Sequence, residues 1–137
     1  MSILFRIVLA SVLTSPALAL AQTPKKPAAS PALEAEFNAF IVKFRAALKA
    51  NDPAAVASMT KLPFMGDKAY ADAAQFRAKA YPELFPAKDR ACIQRKKAEY
   101  GRDGENNDNY FVICGESIFT FTRTPAGFLL TEVGVND

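Results

Sequence analysis

The residue types available for chemistry are limited, because the chain has no histidine and only two cysteines. Without histidine it cannot form a Ser-His-Asp triad, a Cys-His dyad or an imidazole proton shuttle. Two cysteines alone also cannot close a structural zinc site, which needs about four Cys or His ligands. We therefore expect no metal and no cofactor, and any catalysis would depend on carboxylates, tyrosine, lysine or arginine.

Two short patterns resemble functional motifs but lack the rest of them. Ser58 and Lys61 have the S-x-x-K spacing of penicillin-recognising enzymes, but no S-D-N or K-T-G sequence follows. The stretch 103–109 is rich in side-chain oxygens, but a calcium loop read from Glu105 would need glycine where Tyr110 stands. We interpret this stretch as a polar hairpin loop.

The two cysteines are predicted to form a cross-strand disulfide. Cys92 lies in a predicted strand over 90–100, and Cys114 lies in a second over 109–123. Direct pairing would centre the hairpin on residue 103, within a turn signal that includes Gly104. Such a bridge closes a loop of about 22 residues and should contribute roughly 3 kcal/mol. A redox dithiol is the alternative, and it is disfavoured because redox cysteines usually form a C-x-x-C pair.

Residues 1–21 are typical of a secretory signal peptide. Arg6 precedes a short apolar run, Pro16 interrupts it, and small residues follow up to Ala21. We predict cleavage after Ala21 and export to the periplasm or the cell exterior, where disulfides form. An uncleaved anchor is the alternative, but the apolar stretch is shorter than the roughly 20 residues of a spanning helix. No stable membrane anchor is expected after cleavage.

The remainder predicts one α+β domain over 31–137, preceded by a flexible Pro/Lys/Ala linker over 22–30. Helices come first and an antiparallel meander follows, so the helices should cover one face of the sheet. Pro63 favours an edge strand or an extended link, and Pro82 is expected to end the third helix. The predicted helices cover 31–50, 53–60 and 71–80, and the predicted strands cover 90–100, 109–123 and 127–135.

Alternation along the second strand predicts which side chains face the helices. The inward set is Phe111, Ile113, Gly115, Ser117, Phe119 and Phe121. In the same register Ile93 pairs with Ile113 and Arg95 with Phe111, and the disulfide lies on the outer face. A bulge near Gly115 is the alternative, and it would shift this assignment. Tyr110, Val112 and Ile118 would then form an outer apolar patch, which could serve a protein partner or a homodimer.

Four stretches of the chain have a characteristic spacing of apolar residues: Phe37-x-x-Phe-Ile-x-x-Phe, Asn51-Asp52-Pro53, Leu62-Pro63-Phe64 and Phe128-Leu129-Leu130-x-Glu132-Val133. Together with the order of the predicted elements, they resemble the NTF2-like superfamily, with its SnoaL and ketosteroid-isomerase-like cone fold, in a small exported bacterial form. This resemblance implies a curved sheet folded over a helix, with a pocket between them. With the face assignment above, the pocket residues would be Tyr81, Arg95, Phe111, Ser117 and Thr131. An arginine at the mouth of an aromatic cavity suits an anionic or polar small ligand.

Three functions are compatible with these features. The sequence favours an exported, non-catalytic domain that binds a small ligand or a protein partner. An enzyme that uses carboxylate or tyrosine acid–base chemistry is the first alternative, but the family's catalytic carboxylate and pocket acid cannot be matched to residues of this chain. A protein inhibitor or immunity-type partner is the second. The net charge of +3 is too small to indicate a nucleic-acid partner.

Overall fold

The computed structural model describes residues 15–17 and 26–137. The predicted signal peptide therefore lies outside the described residues, except for residues 15–17. Its predicted cleavage site and the first part of the linker lie outside them as well. Within the described residues, no helix has both the length and the hydropathy needed to cross a membrane. The fold is α+β, with helices preceding an antiparallel sheet, as the sequence predicts, but the sheet has four strands and the predicted number is three.

The first two helices begin at the predicted residues, Pro31 and Pro53. Helix α1 (Pro31–Lys49) starts after Ser30, whose side chain accepts a hydrogen bond from the Leu33 backbone N–H at 3.2 Å. Helix α2 (Pro53–Ser58) starts after Asp52, which caps it in the same way. The buried residues of α1 lie mostly three or four positions apart on one helical face and are Phe37, Ile41, Phe44, Ala47 and Leu48.

The link after α2 does not form a regular strand. A single parallel bridge joins Thr60 to Leu130, and a 3-10 turn follows at Phe64–Gly66. A second 3-10 turn, Lys68–Tyr70, leads to the next helical segment. Of the two predicted forms, the extended link describes this segment better.

The third predicted helix is longer than expected, because Pro82 does not end it. Helix α3 (Ala73–Gln75) continues through a π-helical turn (Phe76–Ala80) into α4 (Tyr81–Leu84). Pro82 stands in the first turn of α4, where the missing backbone N–H is tolerated. The expectation that Pro82 stops the helix is therefore wrong.

The predicted strand over 90–100 is also wrong, since most of it forms helix α5 (Ala87–Arg95). Arg45 on α1 stabilises the end of this helix: its Nε donates to the Ile93 carbonyl at 2.9 Å, and a terminal nitrogen donates to the Lys96 carbonyl. Ile93 is fully buried from the helix. This long-range cap and the packing of Ile93 favour a helix that the strand pattern does not predict.

The sheet has the strand order β1-β2-β3-β4, with antiparallel neighbours throughout. Its strands are β1 (Glu99–Arg102), β2 (Asp108–Cys114), β3 (Ser117–Thr124) and β4 (Gly127–Val135). The predicted strand over 109–123 is therefore two strands, joined by a two-residue turn at Gly115 and Glu116. Gly115 has φ +61°, which glycine adopts readily at the first position of a tight hairpin turn.

The turn at Gly115 reverses the predicted faces of β2. Val112 pairs with Phe119, and both are fully buried against the helices. The inward assignment is thus correct for Phe119 and Phe121 in β3 but wrong for Phe111 and Ile113 in β2. The predicted strand pairs Ile93–Ile113 and Arg95–Phe111 do not form, because Ile113 pairs with Ile118 and Phe111 pairs with Glu99 and Thr120.

The predicted outer apolar patch changes for the same reason. Tyr110 and Val112 are buried on the inner face, whereas Ile118 lies on the outer face. The apolar residues that share the outer face with Ile118 are Phe111, Ile113 and Leu129.

The Cys92–Cys114 disulfide is confirmed, with a Cα–Cα distance of 5.9 Å. However, it joins helix α5 to strand β2 and does not pair two strands across a hairpin. Cys114 is only 4% exposed, so its predicted outward position is wrong. The bridge therefore anchors the last turn of α5 to the inner face of the sheet.

Aromatic rings fill the space between α1 and the sheet. Phe44 meets Phe121 edge-on with centroids 4.9 Å apart, and Phe85 stacks on Phe119 at 5.3 Å. All four rings have at most 1% of their surface exposed. The inner face of the described sheet is thus a packed core.

Candidate functional site

The structure does not bring the five predicted pocket residues together. Tyr81 and Arg95 border two separate cavities, one at α4 and the other at the end of α5. Phe111 lies on the outer face of β2, and Ser117 begins β3 beside the turn. Thr131 is hydrogen-bonded to Thr122 at 2.7 Å.

The reason for this separation is the packed inner face. Phe119 and Phe121 occupy the volume between sheet and helix where the resemblance implies a pocket. The concave spaces of the described chain therefore lie at the margins of the fold.

The largest of these spaces is a groove along α1 and β1, which we call the α1–β1 groove. It consists of four adjoining cavities of about 310, 500, 550 and 360 Å³. Neighbouring cavities share wall residues: Tyr110 borders the first and second, Tyr100 the second and third, and Arg123 the third and fourth. The lead-in segment, residues 26–30, borders the two middle cavities.

Tyr110 forms the inner wall of the first two cavities. Its ring stacks on Phe37 with a centroid distance of 3.8 Å and an interplanar angle of 3°. The residue is 5% exposed, and its hydroxyl is buried without a hydrogen-bond partner. Burial raises the pKa of the Tyr110 phenol, and the nearby Glu34 carboxylate raises it further. At neutral pH this hydroxyl is therefore an unused donor in the wall of the groove.

The end of the groove at α5, its first cavity, is strongly basic. Four cationic side chains border this cavity, against the single carboxylate of Glu34. The cations are Arg45, Arg95, Lys96 and Lys97. The three ion pairs found in the described part of the chain involve none of these residues; they are Lys26–Glu99, Arg102–Asp108 and Arg123–Glu36. This end therefore has an excess of uncompensated positive charge.

The middle of the groove is less polar, since small side chains face a tyrosine. Ala28 and Ala29 of the lead-in segment and Ala98 before β1 border the second cavity together with Tyr100. Small residues leave space beside the aromatic ring, which gives a slot suited to an apolar group.

Beyond this slot, the charged groups of the third cavity are already engaged. The Tyr100 hydroxyl donates to Asp108 Oδ1 at 2.6 Å, and Arg102 Nε donates to the same oxygen at 3.2 Å. The hydrogen bond from Tyr100 lowers the pKa of Asp108, and Arg102 lowers it further. A carboxylate held ionised in this way is a weak proton acceptor.

The adjacent loop between β1 and β2 is closed by its own hydrogen bonds. Asp103 accepts from the side chain of Asn109, from the backbone and side chain of Asn107, and from the backbone of Glu105. These donors, led by Asn109, lower the pKa of Asp103 to about 2. In the described residues no group of three or more His, Cys, Asp or Glu is placed to hold a metal ion.

The cavity at Tyr81 is separate and about 420 Å³ in volume. The Tyr81 hydroxyl donates to Asn51 Oδ1 at 2.8 Å, so this buried phenol has a partner. Burial raises its pKa as it does that of Tyr110. Arg90, which also borders the cavity, donates to the Phe85 carbonyl at 2.8 Å. The polar groups here hold the fold together.

Sequence reasoning missed the groove because it placed Tyr110 on the outer face. A signal was available at Gly115, since a strand of 15 residues exceeds the usual length of about 3–10 and a glycine within it marks an interruption of the strand. Splitting the strand there would have turned Tyr110 toward the helices. That the Tyr110 hydroxyl has no hydrogen-bond partner could not have been predicted from the sequence pattern.

No family model, curated protein or solved structure matches this chain. The function must therefore be inferred from the chemistry of the groove.

Proposed function

We propose that this protein is an exported, non-catalytic binding domain with an NTF2-like fold, whose ligand site is the α1–β1 groove. The signal-peptide pattern and the disulfide between Cys92 and Cys114 support export, because disulfides persist in oxidising compartments. The order of helices before an antiparallel sheet is compatible with the NTF2-like resemblance.

The unpartnered hydroxyl of Tyr110 is the observation that carries the proposal. A buried donor without an acceptor costs about 1–3 kcal/mol relative to a satisfied one. Phenylalanine would give the same stacking on Phe37 without this cost. A ligand that accepts this hydrogen bond accounts for a tyrosine at this position.

A binding role is better supported than acid–base catalysis. A general base works best when its pKa lies near the working pH. Among the described carboxylates, the two with clearly shifted pKa values are Asp103 and Asp108, and both are shifted downward. Both are also held by several donors, so neither is available to abstract a proton from a ligand.

The proposal can be tested by screening small compounds against the full chain by ¹H–¹⁵N NMR. The panel should contain anionic, neutral and cationic molecules of similar size. We expect at least one class to shift the amides of Tyr110 and Lys97, with an affinity about tenfold weaker in Tyr110→Phe. Tyr81→Phe is the matched control, since it removes a phenol hydroxyl from the other cavity, and it should bind as the wild type does.

Two results would overturn the proposal. The first is that no compound of any charge class shifts the groove amides. The second is that Tyr110→Phe and Tyr81→Phe bind every compound equally well, since the Tyr110 hydroxyl would then have no role in binding.

A further inference from the structure

We infer that the α1–β1 groove binds an amphipathic organic monocarboxylic acid, with the carboxylate at the basic end and the apolar body in the middle slot. This inference rests on the proposed function and names the ligand class of the same site. It is carried by three features of the groove: its charge, its unused donor and its small apolar side chains.

The charge of the first cavity selects an anion. Arg95, Lys96 and Lys97 are exposed around it, and none of them forms an ion pair with a described residue. Arg45 directs two of its N–H groups to the end of α5, which leaves its charge in place beside the cavity. An anionic head group would therefore meet several cations at once.

Tyr110 supplies the directional contact. Tyr110 borders both the basic cavity and the slot, so it lies where the head group and the body of a bound acid would meet. A carboxylate accepts a hydrogen bond from a phenol strongly, because charge-assisted hydrogen bonds are about twice as strong as neutral ones. The hydroxyl has less than 1 Å² of accessible surface, so neighbouring groups must move for a ligand to reach it.

The start of the lead-in segment can yield to a ligand because it is held weakly, whereas Ala29 packs against the core and Ser30 caps α1. Its ion pair, between Lys26 and Glu99, spans 3.4 Å and is 68% and 59% exposed at its two side chains. Exposed pairs of this kind contribute little to stability. Ala28 and Ala29 then form the outer wall of the slot against the apolar body.

The slot, unlike the basic end, has no excess of positive charge. Glu34 and Glu99 border it together with Lys26 and Lys97, so its two carboxylates offset its two ammonium groups. A second carboxylate placed in the slot would therefore gain no net attraction there. The groove therefore suits a monoanion with an uncharged body.

The test uses three probes with the same body: 3-phenylpropionate, its neutral amide and 3-phenylpropylamine. Binding to the full chain is followed by NMR titration at constant low ionic strength. We expect the carboxylate to bind with a Kd on the order of 1 mM, as a small ligand should. The amide should bind at least fivefold more weakly, and the amine should not shift the amides of the basic end.

Removing a positive charge and removing a negative charge from the groove should change the affinity for an anion in opposite directions. Lys97→Gln should weaken carboxylate binding about threefold, whereas Glu34→Gln should tighten it about twofold. Ala98→Leu, which fills the slot without changing charge, should weaken all three probes. Lys88→Gln changes a charge outside the groove and should leave the affinity unchanged.

The inference fails if the amide or the amine binds the groove as tightly as the carboxylate, or if Glu34→Gln weakens the carboxylate. In either case binding at Tyr110 would persist, so the proposed function would stand and only the ligand class would be wrong. If no probe binds and the wider compound panel also gives no shift, both proposals fail together.

Discussion

Two buried tyrosines in this molecule have similar surroundings and different hydrogen bonding. Tyr81 and Tyr110 are each 5% exposed, each packs against a core phenylalanine, and burial raises the pKa of each. The Tyr81 hydroxyl donates to Asn51, whereas the Tyr110 hydroxyl has no partner. Since both sit in one core, burial alone does not explain the difference.

The difference separates a structural hydroxyl from one available to a ligand. At Tyr81 the hydrogen bond joins α4 to Asn51 in the link between α1 and α2, and this contact stabilises the fold. At Tyr110 the hydroxyl adds only a desolvation cost to the free protein. Functional sites often reduce the stability of the folded protein in this way. A measurement of the free energy of unfolding can therefore distinguish a structural hydroxyl from one that serves a ligand.

Removing the disulfide should have the largest effect on the free energy of unfolding. It also tests whether the groove at Tyr110 and the cavity at Tyr81 are independent. Cys92→Ala combined with Cys114→Ala should lower the free energy of unfolding by about 3 kcal/mol, because the bridge closes a loop between residues 22 apart. The loss should be measured by urea denaturation, with the reduced wild type as the matched control.

Hydrogen exchange on the same double variant locates the effect. The bridge holds the last turn of α5, which borders the groove, whereas Arg90 holds the first turn through the Phe85 carbonyl. Exchange should therefore increase more at Arg95 and Lys97 than at Tyr81. An equal increase at both ends would show that the groove and the Tyr81 cavity open as one unit.

Conservative substitution of the two phenols should change stability in opposite directions. Tyr81→Phe removes a satisfied hydrogen bond and should lower the free energy of unfolding by about 1 kcal/mol. Tyr110→Phe removes an unsatisfied hydroxyl and should raise it by up to about 1 kcal/mol. Denaturation midpoints at pH 7 measure both, with the half-buried Tyr70→Phe as a control of near-zero effect.

A loss of stability in Tyr110→Phe would mean that the hydroxyl has a structural partner in solution. The comparison between the two tyrosines would then lose its basis. If Tyr110→Phe is more stable than the wild type and binds ligand more weakly, the hydroxyl serves binding and not the fold.

The sequence predicted the helical half of the fold better than the sheet. Ser30-Pro31 and Asp52-Pro53 are local cap signals, so the starts of α1 and α2 could be read from the chain directly. Helix α5 could not, because its end is stabilised by Arg45, a residue 48 positions before Ile93. Local patterns do not report contacts over that distance.

The candidate site was harder to predict, because it depends on register. Reading through Gly115 shifted every side chain of β2 to the wrong face, which moved Tyr110 out of the core. The cysteine pair was nevertheless correct, since the chain has only two cysteines. Its geometry was wrong because Cys92 lies on a helix.

Acid should weaken the loop between β1 and β2, which is held by hydrogen bonds to Asp103. The folded pKa of Asp103 is about 2, below its ordinary value of 3.8. Its contribution to stability is therefore complete above about pH 4 and is lost as the pH falls through 2. The stability of Asp103→Asn should accordingly be lower than wild type at pH 7, and the gap should narrow toward pH 2.

Urea denaturation at pH 7, 4 and 2.5 measures this dependence. Glu83→Gln, which removes an exposed carboxylate on α4 near the Tyr81 cavity, is the control and should keep the wild-type profile. A gap between Asp103→Asn and wild type that stays constant with pH would show that the loop does not depend on the charge of Asp103.

The smallest effect is expected at the ion pair between Glu36 and Arg123, which lies at the end of the groove away from the basic cations. The pair spans 3.0 Å and is 38% and 50% exposed. Glu36→Gln should therefore change the free energy of unfolding by less than about 0.5 kcal/mol, and 0.5 M NaCl should remove the difference.

The same variant tests which end of the groove receives the head group. Glu36 borders the third cavity but not the basic first cavity. Glu36→Gln should therefore leave the affinity for 3-phenylpropionate unchanged. If it tightens binding as much as Glu34→Gln, the carboxylate lies near Arg123. The unpartnered Tyr110 would then be separated from the head group, and its contrast with Tyr81 would no longer indicate the binding position.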